Sequence, residues 1–180
     1  MKILIASDIH GSAKYCEELL NAAKKENVDK ILLLGDILYH GPRNDLPDGY
    51  APKSVISMLN GIKSKIIAVR GNCDTEVDQM VLDFPILADY AILTCGSRVI
   101  YATHGHNYNP DNLPPLNDGD ILLNGHTHIT AYEKREGYYY FNPGSVSIPK
   151  NDTQRGYILF ERNEFIWKNL MGDIIYKVSL

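Results

Sequence analysis

The chain has 180 residues, 44% of them hydrophobic and 22% charged, with a formal net charge of -4. That length suits one domain with a sizeable core, and the composition excludes disordered, fibrous and membrane-spanning classes. The isoelectric point near 5.8 leaves no general basic footprint for nucleic acid, and the odd set Cys16, Cys73 and Cys95 points to a reducing cytoplasm rather than a disulfide framework.

In chain order, Lys2 to Ser7 reads as a short buried strand, an apolar run too brief for a signal peptide before Asp8. Ser12 is placed to cap a helix carrying Ala13, Cys16, Leu19, Leu20 and Ala23 at helical spacing. Lys30 to Leu34 is the next strand, Ser54 to Leu59 part of a second helix, and Lys65 to Val69 a third strand. This alternation predicts a parallel sheet with right-handed crossovers.

After Phe84-Pro85 the pattern changes to short strands at Tyr90 to Thr94, Arg98 to Thr103, Asp120 to Leu123, Tyr132 to Glu136 and Tyr138 to Phe141, with turns at Gly96-Ser97 and Gly137. Tyr138, Tyr139 and Tyr140 are expected to alternate across their strand. The tail from Gly156 to Leu180 reads as three more strands, broken near Asn163 and Gly172. No linker or repeat interrupts the chain, so residues 1–180 are expected to form one α/β domain with a more antiparallel second half.

Polar groups recur just beyond the strand ends: Asp8-Ile9-His10-Gly11, Gly35-Asp36, Gly71-Asn72-Cys73-Asp74, His104-Gly105-His106 and Gly125-His126-Thr127-His128. In open α/β sheets ligands bind at the carboxyl edge, so these segments are expected to share one crevice. If extended, His126 and His128 point the same way. One histidine at a strand end is ordinary; this ensemble of imidazole, carboxylate and carboxamide is metal-binding chemistry. It suits divalent manganese, iron, zinc, nickel or cobalt, with manganese foremost.

The order D-x-H, G-D, G-N-x-D, H-G-H, G-H-T-H resembles the calcineurin-like metallophosphoesterase family nearly end to end. Residues His40 to Asn44, Gly49 to Pro52, Val69 to Met80 and Asn142 to Lys150 resemble its bacterial phosphodiesterases. The resemblance implies a four-layer αββα sandwich of two mixed sheets flanked by helices. It also implies one metal on Asp8, His10, Asp36 and His128 and a second on Asp36, Asn72, His104 and His126, bridged by Asp36. Such a pair hydrolyses phosphate esters through a bridging hydroxide, with no protein nucleophile. Two ions, two aspartates and one hydroxide leave a single positive charge, which matches a small anionic phosphodiester.

Many relatives carry a histidine at the third position of G-N-x-D, thought to protonate the leaving group; here it is Cys73. A thiol is a poor acid near neutral pH, so His106 becomes the alternative acid. Cys73 is not expected to be a nucleophile, because cysteine phosphatases need an arginine where this chain has Gln79; Cys16 and Cys95 fail likewise, with Ala22 and Tyr101. Arg43, Asn44, Arg70, Cys73 and Asp74 are candidate substrate contacts, Asp74 alternatively orienting a neighbour. His40 is expected to hydrogen-bond within its loop, and Asn142 to Ser145 to form a turn under the site.

The leading expectation is therefore a metal-dependent phosphodiesterase. A protein-interaction scaffold, as in the family's retromer subunit, is the alternative on the same fold, although scaffolds tend to lose ligands that are all present here. A phosphomonoesterase or nuclease is disfavoured, the latter by charge and by the lack of a basic, aromatic-lined stretch. A homo-oligomer remains open, and no membrane partner is expected.

Overall fold

A computed structural model describes residues 1–180. Strands β1 (Ile3–Ala6), β2 (Lys30–Leu33) and β3 (Ile66–Ala68) pair in parallel, with Ile3 opposite Lys30 and Ile31 opposite Ile66. Their unbroken apolar runs follow from burial on both faces: Leu4 and Ala6 face the helices, while Ile3 and Ile5 face the second sheet. The Ser12 side chain accepts from the Tyr15 amide, so helix α1 (Ala13–Lys25) begins there and buries Tyr15, Cys16, Leu19, Ala22 and Ala23. Helix α2 (Pro52–Asn60) starts on a proline and buries Val55 and Leu59.

Helix α3 (Glu76–Val81) was not expected from the pattern of apolar residues. It buries no residue, so it leaves no helical periodicity to read, and its signal is the capping box between Thr75 and Asp78.

Strands β4 (Ala91–Cys95), β5 (Arg98–Ala102), β6 (Asp120–Leu123), β7 (Thr130–Lys134) and β8 (Tyr138–Pro143) form the second sheet, in the order β4-β5-β6-β8-β7. Here β5, β6 and β8 run parallel, and the edges β4 and β7 antiparallel. Strand β7 starts two residues before its expected position because it is a largely exposed edge with weak alternation.

The tail strands β9 (Gly156–Glu161), β10 (Glu164–Asn169) and β11 (Ile174–Ser179) return to the first sheet, giving β11-β10-β9-β1-β2-β3. Both sheets are thus mixed, as the family resemblance implied, where periodicity alone suggested a parallel first half and a more antiparallel second. Strand β1 has a free edge opposite β2, and β9, with Tyr157 and Leu159 on one face and Ile158 and Phe160 on the other, is apolar enough to fill it.

Between the sheets lie Ile5, Leu32, Ile100, Ile121, Phe141, Phe165 and Trp167. A second core lies under α1 and α2. On the outer face of the second sheet, Leu122, Tyr138 and Tyr140 pack with Leu116, so irregular chain between β5 and β6 forms the fourth layer there. Tyr139 points to the inter-sheet core, as alternation predicts. No helix is long and apolar enough to cross a membrane.

Candidate metal centre

The loops after β1, β2, β3, β5 and β6 carry Asp8 and His10, Asp36, Asn72, His104, and His126 and His128 in turn. Asp8, His10, Asp36, His126 and His128 all have positive φ, from 49° to 65°. Left-handed backbone costs a non-glycine residue roughly 1–2 kcal/mol, so a cluster of such residues must be held by its surroundings.

The restraints are visible. His10 donates its amide to the Asp36 carbonyl at 2.9 Å, and the His126 amide donates to Asp8 Oδ2 at 3.1 Å. Ser145 and Ser147 hydroxyls both donate to the Asp8 carbonyl at 2.9 Å, so the Asn142–Ser145 turn does lie under the site. His126 and His128 are therefore not extended, as alternation had suggested; each reaches the cluster from a left-handed turn.

Close approach also requires glycine. A Cβ on Gly125 would stand 1.9 Å from Ser7 Oγ and 3.0 Å from Asp8 Oδ2. Gly125→Ala is expected to cost about 1–3 kcal/mol through overpacking and to weaken metal binding by displacing Asp8. Thermal melts with and without manganese test this, and an unchanged metal-induced shift would contradict it.

The donors converge. His10 Nε2 and His128 Nε2 are 3.1 Å apart, at 3.6 and 3.3 Å from Asp8 Oδ1. His104 Nε2 lies 3.1 Å from Asn72 Oδ1 and 3.2 Å from His126 Nδ1. Asp36 Oδ2 stands between the groups, 3.7 Å from His10 Nε2 and 3.5 Å from His104 Nε2. A cation with ligands at about 2.1 Å spaces adjacent donors roughly 3.0–3.4 Å apart, which these separations approach.

Orientation is fixed from behind. The Nδ1 atoms of His10, His104 and His128 sit 2.7, 2.6 and 2.9 Å from the carbonyls of Tyr39, Leu34 and Ile148. A carbonyl only accepts, so each Nδ1 carries a proton, and Nε2 is the atom turned to the crevice, its lone pair free for a cation once any proton there has left. His126 is the exception, facing the cluster with Nδ1.

Asp8 Oδ1, wholly buried, has no hydrogen-bond partner. A buried carboxylate oxygen without a donor is costly, and a cation among these nitrogen and oxygen donors removes that cost. The residues therefore fit divalent metal ions.

A profile of the calcineurin-like phosphoesterase superfamily domain matches residues 1–164. The chain belongs to that superfamily. It is 47% identical to phosphodiesterase YfcE of Escherichia coli strain K12 over 163 residues, which cover 91% of this chain and 89% of that protein. The solved structure of YfcE, described as a phosphoesterase from E. coli, matches with a TM-score of 0.95 at 45% identity, covering 99% of each chain. Vps29 of Cryptosporidium parvum matches with a TM-score of 0.62 at 16% identity, covering 99% of this chain and 98% of that one, and shares the fold alone.

Within this superfamily site, charge follows geometry. Burial pushes the Asp8 carboxyl up, but the adjacent His10 and His128 rings and the charge of His104 outweigh it and hold it below the usual range. Burial lowers His104, yet its hydrogen bond to Asp36 and the Asp8 and Asp36 charges raise it to about 9. Burial, then His104, lowers His126 to about 4. In the metal-free protein the His104 proton thus stands in for cationic charge.

The stability from that proton is fully present below the ordinary value of 6.5 and is lost as pH rises through about 9. Metal must displace the proton, so affinity is expected to rise with pH up to about 9. Calorimetry in buffers of different ionisation enthalpy measures the released proton, and affinity independent of pH would contradict the expectation.

Arg43, Asn44 and Cys73 line a cavity of about 310 Å³ beside Asp36, Asn72, His126 and His128. Burial, then the Asp36 carboxylate, pushes the Cys73 thiol up to about 12. Its Sγ accepts from Asn72 Nδ2 at 3.2 Å, so Cys73 turns the Asn72 carbonyl towards His104.

Three of the singled-out residues lie outside the donor cluster. Asp74 does not line the cavity and instead orients a neighbour: its buried carboxylate accepts from the amides of Asp36 and Gly71 at 2.8 Å and of Ile37 at 2.9 Å, tying two loops together. Arg70 lies outside the cavity and pairs with Glu76 at 3.3 Å. His40 Nδ1 makes no hydrogen bond; its ring packs against Tyr39 and Tyr50.

His106 lines a neighbouring cavity with Asp89, Tyr90 and Tyr108, its ring 5.4 Å from that of His104. Burial, then His104, lowers its pKa, which weakens it as a proton donor. The cavity beside the metal donors also holds Thr127 and Lys150, which sequence reasoning missed. Lys150 ended a stretch with family resemblance, and that was its only signal.

Proposed function

We propose that this chain is a cytoplasmic, metal-dependent phosphodiesterase acting on a small phosphodiester. One divalent ion is held by Asp8, His10, Asp36 and His128, the other by Asp36, Asn72, His104 and His126. Manganese is the first choice, with zinc, iron, nickel and cobalt able to use the same donors. The cytoplasmic setting is supported by Cys16, Cys73 and Cys95, all buried as free thiols.

The observation that carries this reading is the convergence of three Nε2 atoms, on rings each fixed by a backbone carbonyl, on the buried carboxylates of Asp8 and Asp36. The name of the E. coli relative, a phosphodiesterase at 47% identity, agrees with it. When bound, the ions supply Lewis acidity and an activated water for in-line attack at phosphorus.

The chain's own residues do the rest. Asp36, shared by both donor groups, spaces them, and the tie from Asp74 to its amide keeps it there. Asn72 supplies a neutral oxygen where a third carboxylate would lower the site's attraction for an anion. Arg43 and Asn44 border the cavity from the loop after β2.

The test is hydrolysis of bis(p-nitrophenyl) phosphate by purified protein loaded with manganese. Release of nitrophenol is expected. If the fully loaded protein leaves both diesters and monoesters intact, the proposal is wrong and scaffolding gains.

A further inference from the structure

The cavity over the metal donors is lined mainly by polar residues, and two of them are cations: Arg43, from the loop after β2, and Lys150, from the loop after β8. Both are exposed at its mouth. The lysine and arginine ion pairs of the molecule fall at Lys2, Lys14, Lys63, Arg70, Arg135, Lys168 and Lys177, so no carboxylate lies within 4.0 Å of either cavity cation.

These charges exceed what the scissile group needs. Two divalent ions against Asp8 and Asp36 leave two positive charges, and one diester anion with its nucleophile cancels them. Arg43 and Lys150 then add two more, in a cavity of about 310 Å³. Unpaired cations from two separate loops bordering one small polar cavity are a recognition surface for an anion.

Resting on the phosphodiesterase reading, we propose that Arg43 and Lys150 form a subsite for a second phosphate on the substrate, so that the natural substrate is a diester whose retained alcohol is itself phosphorylated. Arg43 offers a planar fork to two phosphate oxygens, and Lys150 a point charge from a second loop. The subsite acts on binding, and the bond that breaks remains the one at the metal-facing phosphorus.

Two substrates separate this from the alternative that the cations only hold the scissile phosphate. p-Nitrophenyl phosphopropyl phosphate and p-nitrophenyl hydroxypropyl phosphate share leaving group and spacer and differ in the terminal phosphate. The manganese-loaded protein is expected to prefer the first by at least about tenfold in kcat/KM, through KM, with the preference shrinking as salt rises.

Arg43→Ala and Lys150→Ala should each lose most of that preference, and Lys150→Arg should keep it. Competitive inhibition by the slowly cleaved methyl phosphopropyl and methyl hydroxypropyl phosphates gives the same comparison as binding alone. Equal kcat/KM for the two aryl substrates, or equal losses on both in the variants, overturns the subsite while leaving the phosphodiesterase reading intact. Failure to cleave either substrate overturns that underlying reading instead.

Discussion

Replacing Asp36 with alanine is expected to lower kcat/KM for an aryl phosphodiester by more than about a thousandfold and to cut bound metal from two ions per chain to below one. One oxygen of Asp36 approaches both halves of the cluster, with His10 Nε2 at 3.7 Å and His104 Nε2 at 3.5 Å. Its other oxygen accepts from the Cys73 amide at 2.8 Å, so the substitution also frees the loop that carries Asn72. Metal analysis of the variant after gel filtration, alongside its rate, tests the claim. Retention of two ions with near-normal activity would show that Asp36 does not bridge.

The second large effect concerns the leaving group. General acids contribute roughly 10²–10⁴ to such reactions, and this site has no well-matched donor. Cys73 holds its proton up to about 12, a poor match for protonating an alkoxide near neutral pH, and His106 is lowered by burial and by His104. Aryl alcohols depart as stable anions and alkyl alcohols do not, so aryl diesters should be cleaved at least about a thousandfold faster than alkyl diesters at saturation. Cys73→His, which restores an imidazole where many relatives have one, should narrow that ratio. Equal rates for aryl and alkyl diesters in the parent protein would mean that a donor has been overlooked.

The site was legible because its chemistry sits at strand ends. A buried strand is an apolar run, and Asp8, Asp36, Asn72, His104 and His126 each interrupt the chain just beyond one. Side-chain direction was less legible. Asp74 follows Asn72 by two residues, yet it turns inward to collect three amides, a choice made by loops distant in sequence. Arg70 ends beside the crevice but is drawn to Glu76, which belongs to a helix too exposed to leave a pattern. The left-handed backbone of Asp8, His10, Asp36, His126 and His128 could not be read either, since aspartate and histidine tolerate that conformation without requiring it and here the surroundings impose it. That both sheets are mixed was legible from the family resemblance and not from periodicity: alternation in β9 reports burial on two faces and says nothing of which strand lies beside it.

The return of β9 to the edge of β1 governs when this protein can become active during its synthesis. Ile5 pairs with Ile158, and the Asp8 carbonyl is gripped by hydroxyls 137 and 139 residues further on. A nascent chain that has emerged as far as β3 has an open strand edge and an unlatched Asp8 loop. Contacts of such separation raise contact order and slow folding, and an open edge in a half-made chain invites aggregation. Pulse-labelled hydrogen exchange during refolding should find the amides of β2 and α1 protected before those of residues 8 to 10. The metal loops would then close last, and the centre would crown a finished fold instead of nucleating one.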